Sequence, residues 1–227
     1  MANAERHWVR NLRSVEAAAV AGIVFGALFI AAVILIARQP PPGAPDREIT
    51  AWLSDDSSAT AMATASNLTT LAVIALLWFI GVFRRRVGDR VDHFTSTVFL
   101  GSGLVVAALL LVGATLLTAP TMLAGSNRPS LSPDTFAALQ AVGRHTLLLH
   151  GEALIGVFML SSSTMILRSA AFPVWLTLVS YIAAMGVIVN PLNQLGTLYL
   201  FPSWVVVVSV FVLLRRHQLP TLHPSEN

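Results

Sequence analysis

Four ionisable side chains stand close together in one apolar stretch, and they are the residues best suited to chemistry. They occupy the first third of segment 143–168, which is long enough to cross a bilayer as one helix. The four are Arg144, His145, His150 and Glu152. Charged groups at membrane depth are costly and normally face a protein interior or a wet cavity. On an ideal wheel Arg144, His145 and Glu152 fall within about 100° of one another, while His150 points nearly opposite Arg144.

The composition is typical of an integral membrane protein. Of 227 residues, 55% are hydrophobic and only 11% are charged, and the mean hydropathy is +0.73. Helices satisfy their own backbone in hydrocarbon, so apolar runs of about 20 residues indicate spanning helices. The absence of cysteine excludes disulfides and thiolate chemistry. All 14 basic residues are arginine, which excludes a lysine Schiff base and favours a GC-rich bacterial source.

The apolar pattern predicts an all-α fold: one domain, a polytopic bundle of six transmembrane helices. We place these at about 15–37, 60–83, 94–117, 141–168, 173–189 and 198–214. Pro120 is expected to end the third helix. Ser132 and Pro133 have the types of an N-cap and a first helical residue, and predict an interfacial helix leading into the fourth. In the first loop, Trp52 and Leu53 are expected to dip toward lipid.

The arginines predict the orientation. With the N-terminus inside, ten of the 14 arginines flank the inner side, which is the bias of cytoplasmic loops. The strongest groups follow the second and sixth helices; they are Arg84, Arg85 and Arg86, and Arg215 and Arg216. We therefore expect both termini to be cytoplasmic, in a bacterial inner membrane. These arginines fix the topology and are suited to contact with anionic lipid headgroups.

Other polar side chains are expected at the depth of Glu152. Asn67 falls in the outer third of the second helix and Asn190 at the outer end of the fifth. With the fourth helix they predict a polar pocket that opens outward, with Glu152, about 10 Å below the start of its helix, as the strongest candidate for a functional group. The alternative is structural: Arg144 and His145 reach the interface, Glu152 pairs with one of them, and the amides are packing contacts.

No catalytic residue, metal site or cofactor is expected. The topology puts the remaining histidines on the inner side, about a membrane thickness from the fourth helix, so they cannot complete a haem site there; they are His7, His93, His217 and His223. His145 and His150 do not have the four-residue spacing of a zinc pair on a helix. There is no phosphate loop and no serine elbow. The high pI of about 10.5 is explained by topology, so no nucleic-acid partner is expected.

Small residues form a stripe on the first helix. Ala18, Gly22 and Gly26 recur every four residues, the spacing that lets two membrane helices approach closely. We expect this surface to contact another membrane protein or a second copy of the chain, with the lipid bilayer as the other partner.

Two C-terminal segments carry a resemblance. RSAAFPVWLTLVSY (168–181) and LYLFPSWVVVVSVFVLLRR (198–216) each lead from a small loop into a helix that starts with proline and an aromatic residue. In this the chain resembles uncharacterised bacterial six-helix integral membrane proteins that are grouped as domains of unknown function. The resemblance implies a six-helix bundle and no known activity, and it carries no catalytic residue to this sequence.

Two functions are left open at this point. The first is a non-enzymatic accessory or stabilising subunit of a larger membrane complex, favoured by the short loops, the stripe on the first helix and the lack of a catalytic motif. The alternative is a small transporter or channel-like protein with an outward-facing polar pocket around Glu152. An intramembrane enzyme ranks third.

Overall fold

The computed structural model describes residues 2–87, 92–124, 131–168, 174–189 and 195–214, with most side chains from residue 19 onward. Within these ranges the chain is helical apart from short turns, and it contains no β-strand. The all-α prediction is confirmed.

The described chain contains eight α-helices, one wider π-helical segment and one tighter 3₁₀ segment. The α-helices are α1 (Ala2–Ile36), α2 (Asp46–Leu53), α3 (Asp56–Val87), α4 (His93–Ala124), α5 (Pro133–His145), α6 (Glu152–Arg168), α7 (Val174–Val189) and α8 (Leu200–Leu214). A π-helical turn, Thr146–Gly151, joins α5 to α6, and a 3₁₀ segment, Leu195–Tyr199, leads into α8.

Four segments are long and apolar enough to cross a membrane. They are Ala19–Ile36, Asp56–Arg85, His93–Leu123 and Pro133–Arg168. Two further apolar helices, Val174–Val189 and Thr197–Phe211, are shorter. The expectation of membrane-spanning helices is therefore supported for four of the six, and the last two stay a prediction.

Two predicted helix ends can be compared with the structure: the end of α4 at Pro120 and the start of α5 at Ser132. Helix α4 continues past Pro120 to Ala124, so the prediction that the third helix stops there is wrong. Pro120 removes one backbone hydrogen bond to the preceding turn, which kinks a helix without necessarily ending it, and helices in membranes tolerate such prolines. At the start of α5 the Ser132 hydroxyl accepts a hydrogen bond from the Thr135 amide at 3.2 Å, with Pro133 in the first turn. That predicted N-cap is confirmed.

Helix α2 lies against α5 and its apolar side is covered by protein. Ile49, Leu53 and Phe136 form a small buried cluster, and the Trp52 ring lies 5.6 Å from that of Phe136. The expectation that Leu53 dips toward lipid is wrong, because Phe136 offers a partner that the order of the chain does not reveal.

A series of aromatic contacts runs through the centre of the bundle. Ring centroids are 5.3 Å apart between Phe25 of α1 and Phe201 of α8, and 5.9 Å apart between Phe201 and Phe158 of α6. Phe158 also stacks on Phe99 of α4 at 4.9 Å, and Phe99 contacts Phe83 of α3 at 5.4 Å. Phe158 is fully buried. The series of ring contacts therefore links five helices, and Phe158 of α6 contacts rings of α4 and α8 directly.

Side-chain hydrogen bonds fasten the first loop to the helices below it. The Gln39 amide nitrogen donates to the Leu117 carbonyl at 2.6 Å, and the buried Gln140 amide donates to the Pro40 carbonyl at 2.8 Å. At the opposite end of α6, Arg168 forms an ion pair with Asp92. Helix α6 is thus tied at its far end to the start of α4, while α5 is tied to the loop that follows α1.

Candidate functional site

Glu152 is a buried carboxylate at the junction of two kinds of helix. It is the first residue of α6, directly after the π-helical turn, and only 1% of it is exposed. The Thr197 hydroxyl, in the 3₁₀ segment, donates a hydrogen bond to Glu152 Oε1. A buried ionisable group needs such polar partners, because hydrocarbon or protein interior otherwise disfavours its charged form strongly. Two irregular segments therefore meet at this carboxylate.

The π-helical turn decides which side chains face the interior. A π turn contains one residue more than an α turn, so it rotates everything beyond it by about 100° relative to an uninterrupted helix. His145 before the turn and His150 within it are exposed, whereas Glu152 just after it is buried. The expectation that His145 and Glu152 share a face is wrong for this reason. The turn brings the carboxylate into the bundle and leaves both imidazoles outside.

The 3₁₀ segment is anchored by apolar side chains that follow Thr197 in the chain. Leu198 and Phe201 are almost fully buried in the core shared by α1, α6 and α8. Because 3₁₀ helices have poorer hydrogen-bond geometry and stay short, this segment depends on those anchors for its position. They hold the Thr197 hydroxyl at Glu152.

An apolar layer separates Glu152 from the next polar groups along α6. Ile155, Phe158 and Met159 are all buried, and the serines at 161–163 lie roughly 14 Å farther along the helix at 1.5 Å per residue. The Ser163 hydroxyl donates to the backbone carbonyl of Met159, within its own helix. Between Glu152 and Ser161, α6 carries no polar side chain.

Arg144 and His145 belong to a different cavity. They line it together with Gln140 and Leu148, beneath Pro42 and Gly43 of the first loop. Arg144 is partly buried and His145 is exposed. Arg144 makes no hydrogen bond or ion pair within the described part of the chain, and Glu152 does not line this cavity. The predicted single pocket is therefore divided into a buried carboxylate and a basic cavity.

The remaining predicted polar residues lie elsewhere or outside the description. Asn67 is exposed on α3, and Asn190 lies outside the described residues. Arg84 Nε donates to the Ser96 hydroxyl at 3.3 Å, and Arg85 is exposed; their contact with lipid headgroups stays a prediction. The side chain of Arg86, and Arg215 and Arg216 entirely, lie outside the described residues.

The small-residue stripe of α1 contacts α8 of the same chain. A Cβ atom on Gly22 would overlap the Ser209 hydroxyl, and one on Gly26 would overlap the Val206 side chain and lie 3.1 Å from the Pro202 carbonyl oxygen. Glycine is therefore required for this close approach. At Gly22 and Gly26 the stripe packs against its own chain, and a contact of the stripe with another protein stays a prediction. The Ala18 side chain lies outside the described residues.

Sequence reasoning did not single out Thr197 or Gln140. Both types are common on membrane helices as packing contacts, and neither carries a charge that would draw attention. One signal was available: the loop between α7 and α8 contains several polar residues, and it precedes an apolar helix that packs in the core. Among the described residues, no group of three or more histidine, aspartate or glutamate side chains is close enough to hold a metal ion.

Comparisons of the chain with models of protein families, with curated proteins and with solved structures find no match. The resemblance to six-helix bacterial membrane proteins stays a prediction.

Proposed function

We propose that the protein is a small transporter or channel-like integral membrane protein in which the Glu152 carboxyl group takes up and releases a proton. The single observation that supports this most is a carboxylate 1% exposed at the end of a π-helical turn. Ionisable residues inside membrane helices are rare and typical of proton relays and ion pathways. π-helical turns inside α-helices are rare and occur frequently at functional sites.

The depth of Glu152 supports the same function. Helix α6 has 17 residues and is therefore roughly 25 Å long. Arg168 at its other end is half-exposed and paired with Asp92, as suits a headgroup region. If that end lies at one membrane surface, Glu152 lies inside a hydrocarbon core of about 30 Å, toward the opposite surface. With the arginine-rich ends inside, as in a bacterial cytoplasmic membrane, this is the outer half.

Transport through this conformation requires movement, because Glu152 is buried. The layer at Ile155, Phe158 and Met159 closes the path along α6. We propose that protonation of Glu152 changes its hydrogen bond with Thr197, and that the 3₁₀ segment and the π turn then shift together. Interrupted helices perform this role in transporters, where they surround the bound ion. The proposal is thus a stepwise transporter rather than an open pore.

A proton-flux assay tests this proposal. Purified protein is reconstituted in liposomes that contain a pH-sensitive dye, and a potassium diffusion potential is applied with valinomycin. We expect the wild type to acidify the lumen several-fold faster than empty liposomes, and Glu152→Gln to fall to the rate of empty liposomes. The glutamine retains a side-chain oxygen that accepts from Thr197, so the fold is expected to persist.

Glu48→Gln is the matched control. Glu48 lies on α2 and is exposed, so its neutralisation removes the same charge without touching the buried site. We expect it to keep the wild-type flux. Wild-type flux in Glu152→Gln, or no flux above empty liposomes in the wild type, would refute the proposal. Circular dichroism melting in detergent verifies that both variants are folded.

One observation favours the accessory-subunit function as a second candidate. Helix α7 exposes a row of large apolar side chains; they are Val174 (71%), Trp175 (59%), Leu178 (59%), Ile182 (65%) and Val189 (64%). Lipid or a partner helix would cover such a face. The sequence also favoured a subunit because the small-residue stripe of α1 suits contact with another protein. Gly22 and Gly26 contact α8 of the same chain instead, so these two residues no longer support that function. Gentle purification in native lipid followed by mass measurement distinguishes the transporter from the accessory subunit. A stable partner favours the subunit function, and a chain that purifies alone contradicts it.

A further inference from the structure

A cavity of about 360 Å³ lies beneath the first loop. Its lining combines residues of the loop with one face of α5 and the start of the π-helical turn. The lining residues are Pro42, Gly43, Ala137, Gln140, Ala141, Arg144, His145 and Leu148. Its size is within the range of small-molecule sites, about 300–1,000 Å³, and it is separate from the Glu152 site of the proposed function.

The loop over the cavity is held in place by the fold. Gln140, which lines the cavity, donates its amide to the Pro40 carbonyl at 2.8 Å, and Gln39 reaches the Leu117 carbonyl at 2.6 Å. Gly43 has a φ of +82°, a conformation that favours glycine. The turn at Gly43 and the hydrogen bonds of Gln39 and Gln140 fix the loop above α5. A ligand would therefore meet a preformed site.

The charge of the cavity is positive. Arg144 and His145 contribute to its wall, and none of the lining residues is acidic. Within the described part of the chain, the Arg144 guanidinium has no hydrogen bond or ion pair, although the residue is partly buried. A guanidinium presents five donors in a planar fork that matches phosphate and carboxylate oxygens. The Arg144 guanidinium is thus suited to bind an anion.

We infer that this cavity binds a phosphate-bearing ligand, with Arg144 holding the phosphate oxygens and His145 beside it. Ala137, Ala141 and Leu148 supply an apolar wall that suits the carbon skeleton attached to the phosphate. Arginine is preferred at such sites because it contacts two oxygens at once. The shared chemistry is a phosphate ester, and it has two sources: the headgroup of a membrane phospholipid, or a free phosphate compound in solution.

Binding to the full chain in uncharged detergent tests this. Native mass spectrometry measures the affinity for phosphatidylglycerol and, for comparison, diacylglycerol, which lacks the phosphate. Thermal unfolding measures stabilisation by glycerol 3-phosphate and by inorganic phosphate. We expect phosphatidylglycerol to bind and Arg144→Gln to weaken that binding about tenfold or more, the size of a lost charge-assisted contact. Diacylglycerol is expected to bind at least tenfold more weakly.

Two further variants make the result independent of folding defects. Arg47→Gln is the matched control, since Arg47 is an exposed arginine on α2, outside the cavity, and we expect it to bind like the wild type. Ala141→Leu fills the cavity but keeps Arg144, and we expect it to lose binding as well. Arg144-dependent binding of the lipid assigns the site to a headgroup. Arg144-dependent stabilisation by the soluble phosphates alone assigns it to a free ligand. Equal loss in Arg47→Gln, or no Arg144-dependent binding of any probe, would overturn the inference.

Discussion

Replacement of Gly26 by alanine is a sharp test of how α1 and α8 pack. The added Cβ would overlap the Val206 side chain and lie 3.1 Å from the Pro202 carbonyl oxygen, which is backbone and cannot turn away. Overpacking of this kind costs about 1–3 kcal/mol. Alanine also gains about 1 kcal/mol over glycine in a helix. We therefore expect Gly26→Ala to lower the free energy of unfolding by about 0–2 kcal/mol.

Gly101→Ala provides the reference for the helix-propensity gain alone. A Cβ at Gly101 of α4 has no neighbour within 4 Å, so we expect this variant to be unchanged or up to about 1 kcal/mol more stable. The difference between the two alanine variants, about 1–3 kcal/mol, is the cost of the overlap. Val206→Ala removes the side-chain part of the overlap and is expected to rescue Gly26→Ala in part.

The assay is reversible unfolding in mixed micelles, followed by circular dichroism, of the single and double variants. Val206 and Gly26 should couple by about 1 kcal/mol in a double-mutant cycle. Additive effects, or a Gly26→Ala variant as stable as Gly101→Ala, would show that α1 does not contact α8 as described. A dimer that dissociates in Gly26→Ala, with an unchanged monomer stability, would instead place the stripe between chains.

Two further results are expected from other buried and capping contacts. The Trp204 indole donates to the Ser180 hydroxyl at 2.9 Å in the core. We therefore expect Ser180→Ala to lower the free energy of unfolding by about 1–2 kcal/mol, because it leaves that donor unpaired. The Ser163 hydroxyl bonds only within its own helix, so Ser163→Ala should lower it clearly less in the same unfolding assay. Hydrogen bonds, first that of the Ser57 hydroxyl, hold the pKa of Asp55 below its ordinary value. The contribution of Asp55 to stability is therefore present above about pH 4 and lost as the pH falls through the folded pKa. The melting temperatures of wild type and Asp55→Ala should accordingly differ at pH 7 and converge in acid.

The hydrophobic pattern predicted the helices well because each depends on local composition. The apolar runs at 60–83 and 94–117 lie within α3 and α4, and Ser132 followed by Pro133 predicted the start of α5. Pro120 misled because a proline disturbs the turn before it and can kink a helix without ending it. Local rules are thus reliable for where helices exist and less so for where they end.

The arrangement of the candidate site was not predictable from the pattern. A π-helical turn adds one residue to a helix without any change in composition, so an ideal wheel placed His145 and Glu152 on one face. Thr197 reaches Glu152 across 45 residues of sequence, and such pairs depend on how the helices pack. The stripe on α1 was visible, yet only the packed structure identifies Ser209 and Val206 as its partners.

The protonation of Glu152 during transport is the most direct measure of the proposed function. Infrared difference spectra of the reconstituted wild type, recorded with and without an applied proton gradient, report carboxyl groups that gain or lose a proton. The proposal predicts a carboxyl band that appears in the wild type and is missing from Glu152→Gln. Identical difference spectra for the two proteins, in samples that both conduct protons, would contradict it.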